Sequence, residues 1–382
     1  MHSMLVCIDE ESAQVFAGKR VIVRADFNVP IENGEVTDTF RLEQGWKTVQ
    51  YLVDIGAKVI ILTHIGRDPE ESSEPVAHAL KQFGNVHFVP DITGDMARTA
   101  TAAMQGGEVV LLENIRRDPR ETENDAAFAA ELAALGDVYV GDAFAASHRA
   151  HASIVGVPKI LPAYAGFLVR DEVREIDAAR TPLAPSLAIL GGAKFETKAP
   201  LVQLLLEKYD NVFLTGALAN DVFRAKGYTT GRSLTSKELP DQSILTNPRF
   251  LAPVDVTAED ATGHAAVKKP DVVTADDKIV DIGPDSVALL APYITKAKFI
   301  LWNGPTGLYE SGYTHYVRQI SELVEKAVDG GAKVVIGGGD TIAAIEASGA
   351  KKQNLGFLST GGGAMLEYLL KGTLPGIEVL NR

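Results

Sequence analysis

The feature that most constrains this chain is a rhythm. Short unalternated runs of Val, Ile and Leu recur, each followed by a longer segment with apolar residues at helical spacing. The runs fall at 21–23, 59–62, 109–112 and 138–140 in the first half. In the second half they fall at 187–190, 212–214, 272–273, 299–301, 334–336 and 357–358. Runs without alternation suit strands covered on both faces, as in a parallel sheet between helix layers. The helical segments include 41–55, 126–135, 199–209 and 315–327. Strand–helix alternation over the whole chain predicts an α/β protein with right-handed crossovers. At 382 residues, two domains are expected. The rhythm pauses over 160–185, where Pro158 and Pro162 lead into a charged stretch with a Val169/Val173/Ile176 stripe, and Pro182 and Pro185 follow. This predicts a helical connector between two separate sheets.

Composition excludes several classes. The single cysteine, Cys7, cannot form an internal bridge. No apolar run is long enough to span a bilayer. The segment 1–11 carries Asp9, Glu10 and Glu11 rather than a basic-then-apolar leader, which points to the cytoplasm. A net charge of −13 repels nucleic acid and anionic membranes, so neither is an expected partner.

That acidity makes the few basic residues of the first half informative. Residues 1–164 hold 14 Lys+Arg against 24 Asp+Glu, a balance of −10. Ligands of open α/β sheets sit beyond the carboxyl ends of the strands. The segments following the first four runs are Arg24-Ala25-Asp26-Phe27-Asn28-Val29-Pro30, Thr63-His64-Ile65-Gly66-Arg67, Glu113-Asn114-Ile115-Arg116, and Gly141-Asp142-Ala143-Phe144 with Ser147-His148-Arg149-Ala150-His151 beyond. Arg24, His64, Arg67, Arg116, His148, Arg149 and His151 therefore converge on one edge. Two or three are expected to pair with Asp26, Asp142 or Glu113. The whole set repels itself unless an anion fills it, and Arg suits phosphate or carboxylate oxygens. His148 and His151 lie among arginines, which argues against zinc or iron.

The strand ends of the second half are glycine-rich: Gly191-Gly192-Ala193-Lys194, Gly216-Ala217, Asn303-Gly304-Pro305-Thr306-Gly307, Gly337-Gly338-Gly339-Asp340-Thr341 and Thr360-Gly361-Gly362-Gly363. One such pair is usually a tight turn. Five on one sheet suggest backbone N–H groups and helix N-termini around a phosphate. Neither a P-loop motif nor a Gly-x-Gly-x-x-Gly fingerprint occurs. Lys194 and Lys198, four apart, would share one face of a helix beginning there and need an anion between them. Asp340 suits either Mg²⁺ on bound phosphates or the N-cap of a helix over 342–347. A basic anion site in one half and a phosphate or nucleotide site in the other fit phosphoryl transfer.

Taken in order, these motifs, with Leu111-Leu112-Glu113-Asn114-Ile115-Arg116, Trp302-Asn303-Gly304-Pro305 and Ser359-Thr360-Gly361-Gly362-Gly363-Ala364, closely resemble the phosphoglycerate kinase family over about 19–377. The resemblance implies two Rossmann-like three-layer domains with parallel sheets, joined by a helical connector and facing across a cleft. It places an N-terminal phosphoglycerate-binding domain at 1–164, onto which a tail of about 367–382 returns, and the connector with a nucleotide-binding domain at 165–366. It implies reversible phosphoryl transfer between 1,3-bisphosphoglycerate and Mg-ADP, giving 3-phosphoglycerate and Mg-ATP, in glycolysis and gluconeogenesis, by a usually monomeric enzyme that works through domain closure and charge neutralisation.

By matching position, Asp26, Phe27, Asn28, Arg41, His64, Ile65, Gly66, Arg67, Arg116 and Arg149 would bind the phosphoglycerate. Gly192, Lys194, Lys198, Gly216, Asn303, Pro305, Glu310, Gly338, Gly339, Asp340 and Thr341 would bind the nucleotide, with Asp340 toward Mg²⁺. Arg41, Lys194 and Lys198 would act on the transferred group. The chain departs from the family pattern after Arg41, where Leu42-Glu43-Gln44-Gly45-Trp46-Lys47 replaces Ile-x-Ala-Ala-Leu-Pro. Asp68 follows Arg67 where Pro is usual, with a shortened acidic loop to Pro75. Gly141 replaces an Asn and Ala145 a Gly, and Gly216-Ala217-Leu218-Ala219 replaces Gly-Gly-Met-Ala. A non-catalytic phosphometabolite or nucleotide sensor on the same fold is the alternative. A dehydrogenase lacks its glycine fingerprint.

Overall fold

The computed structural model describes residues 5–381. Residues 1–4 of the segment read for a leader, and Arg382 of the tail, lie outside the described residues. The chain forms two compact units, one up to Arg174 together with the segment from Thr373 onward, the other Glu175–Gly372. The division falls inside the helix Phe167–Arg180, which occupies the expected connector.

The first unit is built on a six-stranded, wholly parallel sheet. Its spatial order is Val86–Val89, Val109–Leu112, Lys58–Leu62, Arg20–Ala25, Val138–Asp142, Ala163–Ala165. Residues such as Val21, Val23, Val59 and Ile61 are fully buried and pack with Leu42, Val49 and Leu52 of the helix Phe40–Asp54. The second unit repeats the plan with a six-stranded parallel sheet of order Phe250–Leu251, Asn211–Leu214, Ser186–Leu190, Phe299–Asn303, Lys333–Gly337, Phe357–Leu358. The run at 272–273 is not one of its strands. Pro270–Val272 is a 3-10 turn that leaves Val272 58% exposed, because Pro270 cannot donate to a ladder. A separate antiparallel sheet, Ala265–Lys268, Val256–Glu259 and Lys278–Ile282, stands beside the parallel one.

The segment after Arg41 is accommodated by matched small and large residues. A Cβ at Gly45 would come 2.7 Å from the Phe27 ring, so the glycine makes room for that ring. Trp46 stacks on Phe83 at 5.9 Å between centroids, and Gly84 yields the space its indole fills. The helix thus holds Arg41 in its first turn with Phe27 seated beneath it.

Asp142, one of the three carboxylates offered to the arginines and histidines, has no such ion pair among the described residues. It ends the strand Val138–Asp142 and accepts from Val169 N–H at 3.2 Å, anchoring the start of the connector helix. Burial pushes its carboxyl up to about 7, partly opposed by the Thr48 hydroxyl and the N–H groups of Val169 and Leu168. A carboxyl raised on folding holds its proton in the native state while the unfolded chain has lost it. Its contribution to stability therefore falls as pH rises from about 4 through about 7. Asp142→Asn should raise the unfolding free energy from urea titration relative to wild type at pH 8 and do so less at pH 5, by at least about 1 kcal/mol between the two. Equal shifts at both pH values would show that the Asp142 charge carries no such penalty.

Candidate active site

The carboxyl ends of the first unit's strands deliver the cations, as their sequence positions require, but in two layers. Arg24 is buried, 1% exposed, and belongs to the inner layer. Its Nε donates to Ser153 Oγ at 2.8 Å, and one terminal nitrogen donates to Ala25 O at 2.7 Å. Ser153 in turn donates through Oγ and its backbone N–H to buried Glu121, at 2.6 and 2.9 Å. Glu121 was not among the carboxylates expected to pair here, and it lies in a 3-10 turn that composition does not mark. Glu113 is taken up differently, by Ser72, by Ser73 and Asn114 backbone N–H groups, and by Arg117 at 3.0 Å.

Arg41, Arg116 and Arg149 form an outer, half-buried layer. Arg41 is ion-paired with buried Asp26, whose other oxygen has no hydrogen-bond partner. Arg116 donates to the Gly66 carbonyl, while Gly66 N–H donates to Asn28 Oδ1 at 2.9 Å. Arg149 Nε donates to His148 Nε2 at 3.2 Å. Burial, with Arg149 and Arg24 nearby, presses the Arg116 guanidinium down to about 10. Burial and the same arginines hold His151 down to about 4. His64 is kept well below the usual imidazole range, by burial first and then by Arg24, Arg116, Arg149 and His151. Cations that depress one another in this way are relieved by an anion. Arg67 is exposed on the loop beyond Gly66. The Phe27 and Ile65 side chains are buried in the core, at 0% and 3% exposure, so only their backbone can meet a ligand.

In the second unit the parallel strands end beneath a set of helix N-termini. Helices Ala217–Ala225, Gly339–Ala347 and Gly363–Lys371 start from Gly216, Gly338 and Gly362, each at positive φ and none with a side-chain cap. Leu218 N–H is spent on Gly192 O at 3.1 Å, and among the described residues the N–H groups of Ala217, Gly339, Asp340 and Gly363 remain for a ligand. Gly191 and Gly304 pack back to back, and a Cβ at Gly304 would come 2.5 Å from the Gly191 backbone. A pocket of about 390 Å³ opens beside them, lined by Gly192, Gly216, Pro305, Glu310 and Asp340 among others. Ala217 and Ala219 also line it, whereas Leu218 is fully buried. The far wall is Ile279–Ile282 of the antiparallel sheet, with Phe223 and Leu308. Asp281, in that wall, is 3% exposed and pushed up to about 7 by burial. Sequence reasoning missed it, because nothing in a Lys-Ile-Val-Asp-Ile run marks which residue meets a pocket.

Lys198 is half-buried, and its Nζ donates to Asn303 Oδ1 at 3.3 Å. Burial lowers its ammonium to about 8, opposed by Asp340. Asn303 Nδ2 is buried without a partner, at the position a Cβ on Gly338 would approach to 3.0 Å. Three sequence expectations change here. Lys194 does not share a helix face with Lys198, because the helix begins at Phe195 and Lys194 is its extended, exposed N-cap residue. Asp340 is not an N-cap; it sits in the first turn of a helix that begins at Gly339, one residue ahead of it. Thr341 is fully buried, its hydroxyl donating to Gly337 O and accepting from Gly304 N–H, both at 2.7 Å, so it ties two loops together.

Among the described residues no group of three or more His, Cys, Asp or Glu is placed to hold a metal. The exposed carboxylate of Asp340 on the pocket wall fits a different arrangement, in which Mg²⁺ keeps its waters, takes one carboxylate and arrives on substrate phosphates. No helix among the described residues is long and apolar enough to cross a membrane.

The chain is thus an α/β protein of two parallel-sheet units, one with a crowded cationic edge and one with a glycine-lined pocket under helix N-termini, both suited to anionic ligands. Residues 12–372 match the family model described as phosphoglycerate kinase. The chain is 41% identical to phosphoglycerate kinase of Bradyrhizobium diazoefficiens, with 95% of this chain and 96% of that one covered, and 40% identical to that of Moorella thermoacetica with the same coverage. The structure of phosphoglycerate kinase from Coxiella burnetii is similar with a TM-score of 0.84 and 33% identity, covering 99% of each chain. The chain belongs to the phosphoglycerate kinase family. It is a phosphotransferase with a carboxyl group as acceptor.

Proposed function

We propose that the first unit binds 3-phosphoglycerate or 1,3-bisphosphoglycerate at its cationic edge and that the second binds Mg-ADP or Mg-ATP in its glycine-lined pocket. Arg41, His64, Arg67, Arg116 and Arg149 supply charge and hydrogen bonds to the phosphoglycerate, Asp26 and Asn28 accept from or orient its polar groups, and the backbone at Phe27, Ile65 and Gly66, held by Thr63, Asn114, Asn28 and Arg116, shapes the wall of the site. The observation that carries this reading is the gathering of Arg24, Arg41, His64, Arg116, Arg149 and His151 at the carboxyl ends of one sheet, where burial first and the neighbouring cations second oppose the charged forms of Arg116, His64 and His151, and a polyanionic ligand offsets the repulsion.

In the second unit Gly192, Gly216 and Pro305 would face the nucleotide, with Glu310 on its ribose. Lys198, Asn303 and the helix start at Gly338 and Gly339 would face its phosphates. Thr341 acts through the loops it ties, and Lys194 reaches the phosphates from outside the helix. Asp340 would hold Mg²⁺, which neutralises phosphate charge when bound. A nucleotide β-phosphate oxygen forms the new P–O bond as the bond to the acyl oxygen breaks, and the electron pair leaves with the carboxylate. Arg41 and Lys198 offset the charge on the transferring group, and no covalent enzyme intermediate is required. The enzyme acts as a monomer in the cytoplasm, each chain carrying both half-sites.

A coupled assay with 3-phosphoglycerate and Mg-ATP, reading 1,3-bisphosphoglycerate through NADH oxidation, tests the division. Arg149→Ala should raise KM for 3-phosphoglycerate roughly 10- to 100-fold, the worth of a charged hydrogen bond, and leave KM for ATP unchanged. A rise in the ATP term instead would assign the cationic edge to the nucleotide.

A further inference from the structure

Arg24 is the bulkiest fully buried charged side chain, and none of the roles above uses it. It stands on the strand Arg20–Ala25, beside Leu62 in register, and its side chain is enclosed. Nε is committed to Ser153, one terminal nitrogen to Ala25 O, and the other lies 3.2 Å from His64 Nδ1. Glu121 balances its charge through the Ser153 hydroxyl, and Tyr139 fixes Ser153 from the other side by donating to its carbonyl at 2.9 Å. The guanidinium is enclosed, 1% exposed, and each of its three nitrogens has a protein partner, so it does not reach a substrate.

A guanidinium has donors and no acceptor. The ring nitrogen facing it must accept, so the proton of a neutral His64 sits on Nε2. Protonating Nδ1 would set one N–H against another and add a charge among Arg24, Arg116, Arg149 and His151, the groups that act on this ring most strongly. His64 is 4% exposed, and among the described residues its Nε2 has no protein partner.

We propose that Arg24 is a positioning residue that locks His64 as the Nε2–H tautomer, so that His64 meets the phosphoglycerate only as a neutral hydrogen-bond donor. The second half of this statement rests on the reading that His64 contacts that substrate; the lock itself does not. Contact through a neutral donor needs no proton uptake, so binding through His64 is insensitive to pH from 6 to 8, where a solvated histidine titrates.

Long-range ¹⁵N–¹H spectra of the full-length protein at pH 7 test the lock, with the His64 signals identified by their loss in His64→Gln. The expected result is a neutral Nε2–H ring that does not titrate down to pH 6. An Nδ1–H ring or an imidazolium overturns the proposal. In Arg24→Lys, which keeps the charge beside Glu121 but loses the fork, His64 should show mixed tautomers or titrate above pH 6. An unchanged pure Nε2–H ring there overturns the role of Arg24. Should Arg24→Lys fail to fold, amide replacements at His64 take its place. The Gln amide nitrogen reaches the Nε2 position and the Asn amide only the Nδ1 position. KM for 3-phosphoglycerate in His64→Asn should exceed that in His64→Gln about tenfold or more, the worth of a donor restored at the Nε2 position. The reverse order overturns the proposal. Adding 3-phosphoglycerate should shift the His64 Nε2 signal. If the ring is locked but that signal does not move, the substrate contact fails while the lock stands.

Discussion

Lys198→Ala is expected to lower kcat about 10²- to 10³-fold while changing KM for ATP by no more than a few-fold, the pattern of a charge that acts mainly on the transferring group. The structure gives the reason in the state of the side chain. The Lys198 ammonium is half-buried, holds one neutral partner in Asn303 Oδ1, and is lowered to about 8 by burial. A cation so weakly compensated gains most from the arrival of an anionic phosphoryl group. The sign for pH follows: kcat/KM should fall as pH rises through about 8, where free enzyme loses the ammonium proton. Phosphate beside Lys198 favours the charged form, so the corresponding fall in kcat should lie at higher pH. Steady-state profiles from pH 6 to 10 check both. Coincident limbs, or equal losses in kcat and in nucleotide affinity, would remove Lys198 from the chemical step.

Arg41→Ala should cost about 10³-fold in kcat, in the range that arginines facing a transferring phosphoryl group contribute elsewhere. It should also lower stability by about 1–3 kcal/mol, because it strips buried Asp26 of its ion-pair partner and one Asp26 oxygen already lacks a hydrogen bond. The two effects separate in Arg41→Lys. Lysine restores charge beside Asp26 and most of the stability, but it cannot offer a planar pair of donors to a phosphoryl group. Turnover with thermal melts on both variants decides the matter. If Arg41→Lys recovers rate and stability together, Arg41 acts through Asp26 rather than on the substrate.

The segment after Arg41 is where sequence alone offers the least guidance, and two residues outside it, Phe27 and Gly84, account for it. Gly45 clears the Phe27 ring, and Gly84 clears Trp46. Each change makes sense only beside the other, since a large side chain in a close-packed core requires a small one opposite.

The sequence determined what a strand covered on both faces must show. Runs such as Val59–Leu62 and Val138–Val140 have to be apolar throughout, so the parallel sheets and the motifs at their ends were legible. Strands without that cover were not. Val86–Val89 at a sheet edge carries an exposed His87, and Ala265–Lys268 has no residue fully buried. With them went the antiparallel wall of the pocket and Asp281. Tertiary structure alone decided which polar residues face a ligand. Arg24 and Arg116 both follow apolar runs and look alike in sequence. Arg24 is turned inward by Ser153, 129 residues away, and Arg116 is left at the site. Thr341 sits beside Asp340, yet its hydroxyl is spent on a loop 37 residues away. A buried donor must find its acceptor wherever the fold supplies one, and no local pattern records where that will be.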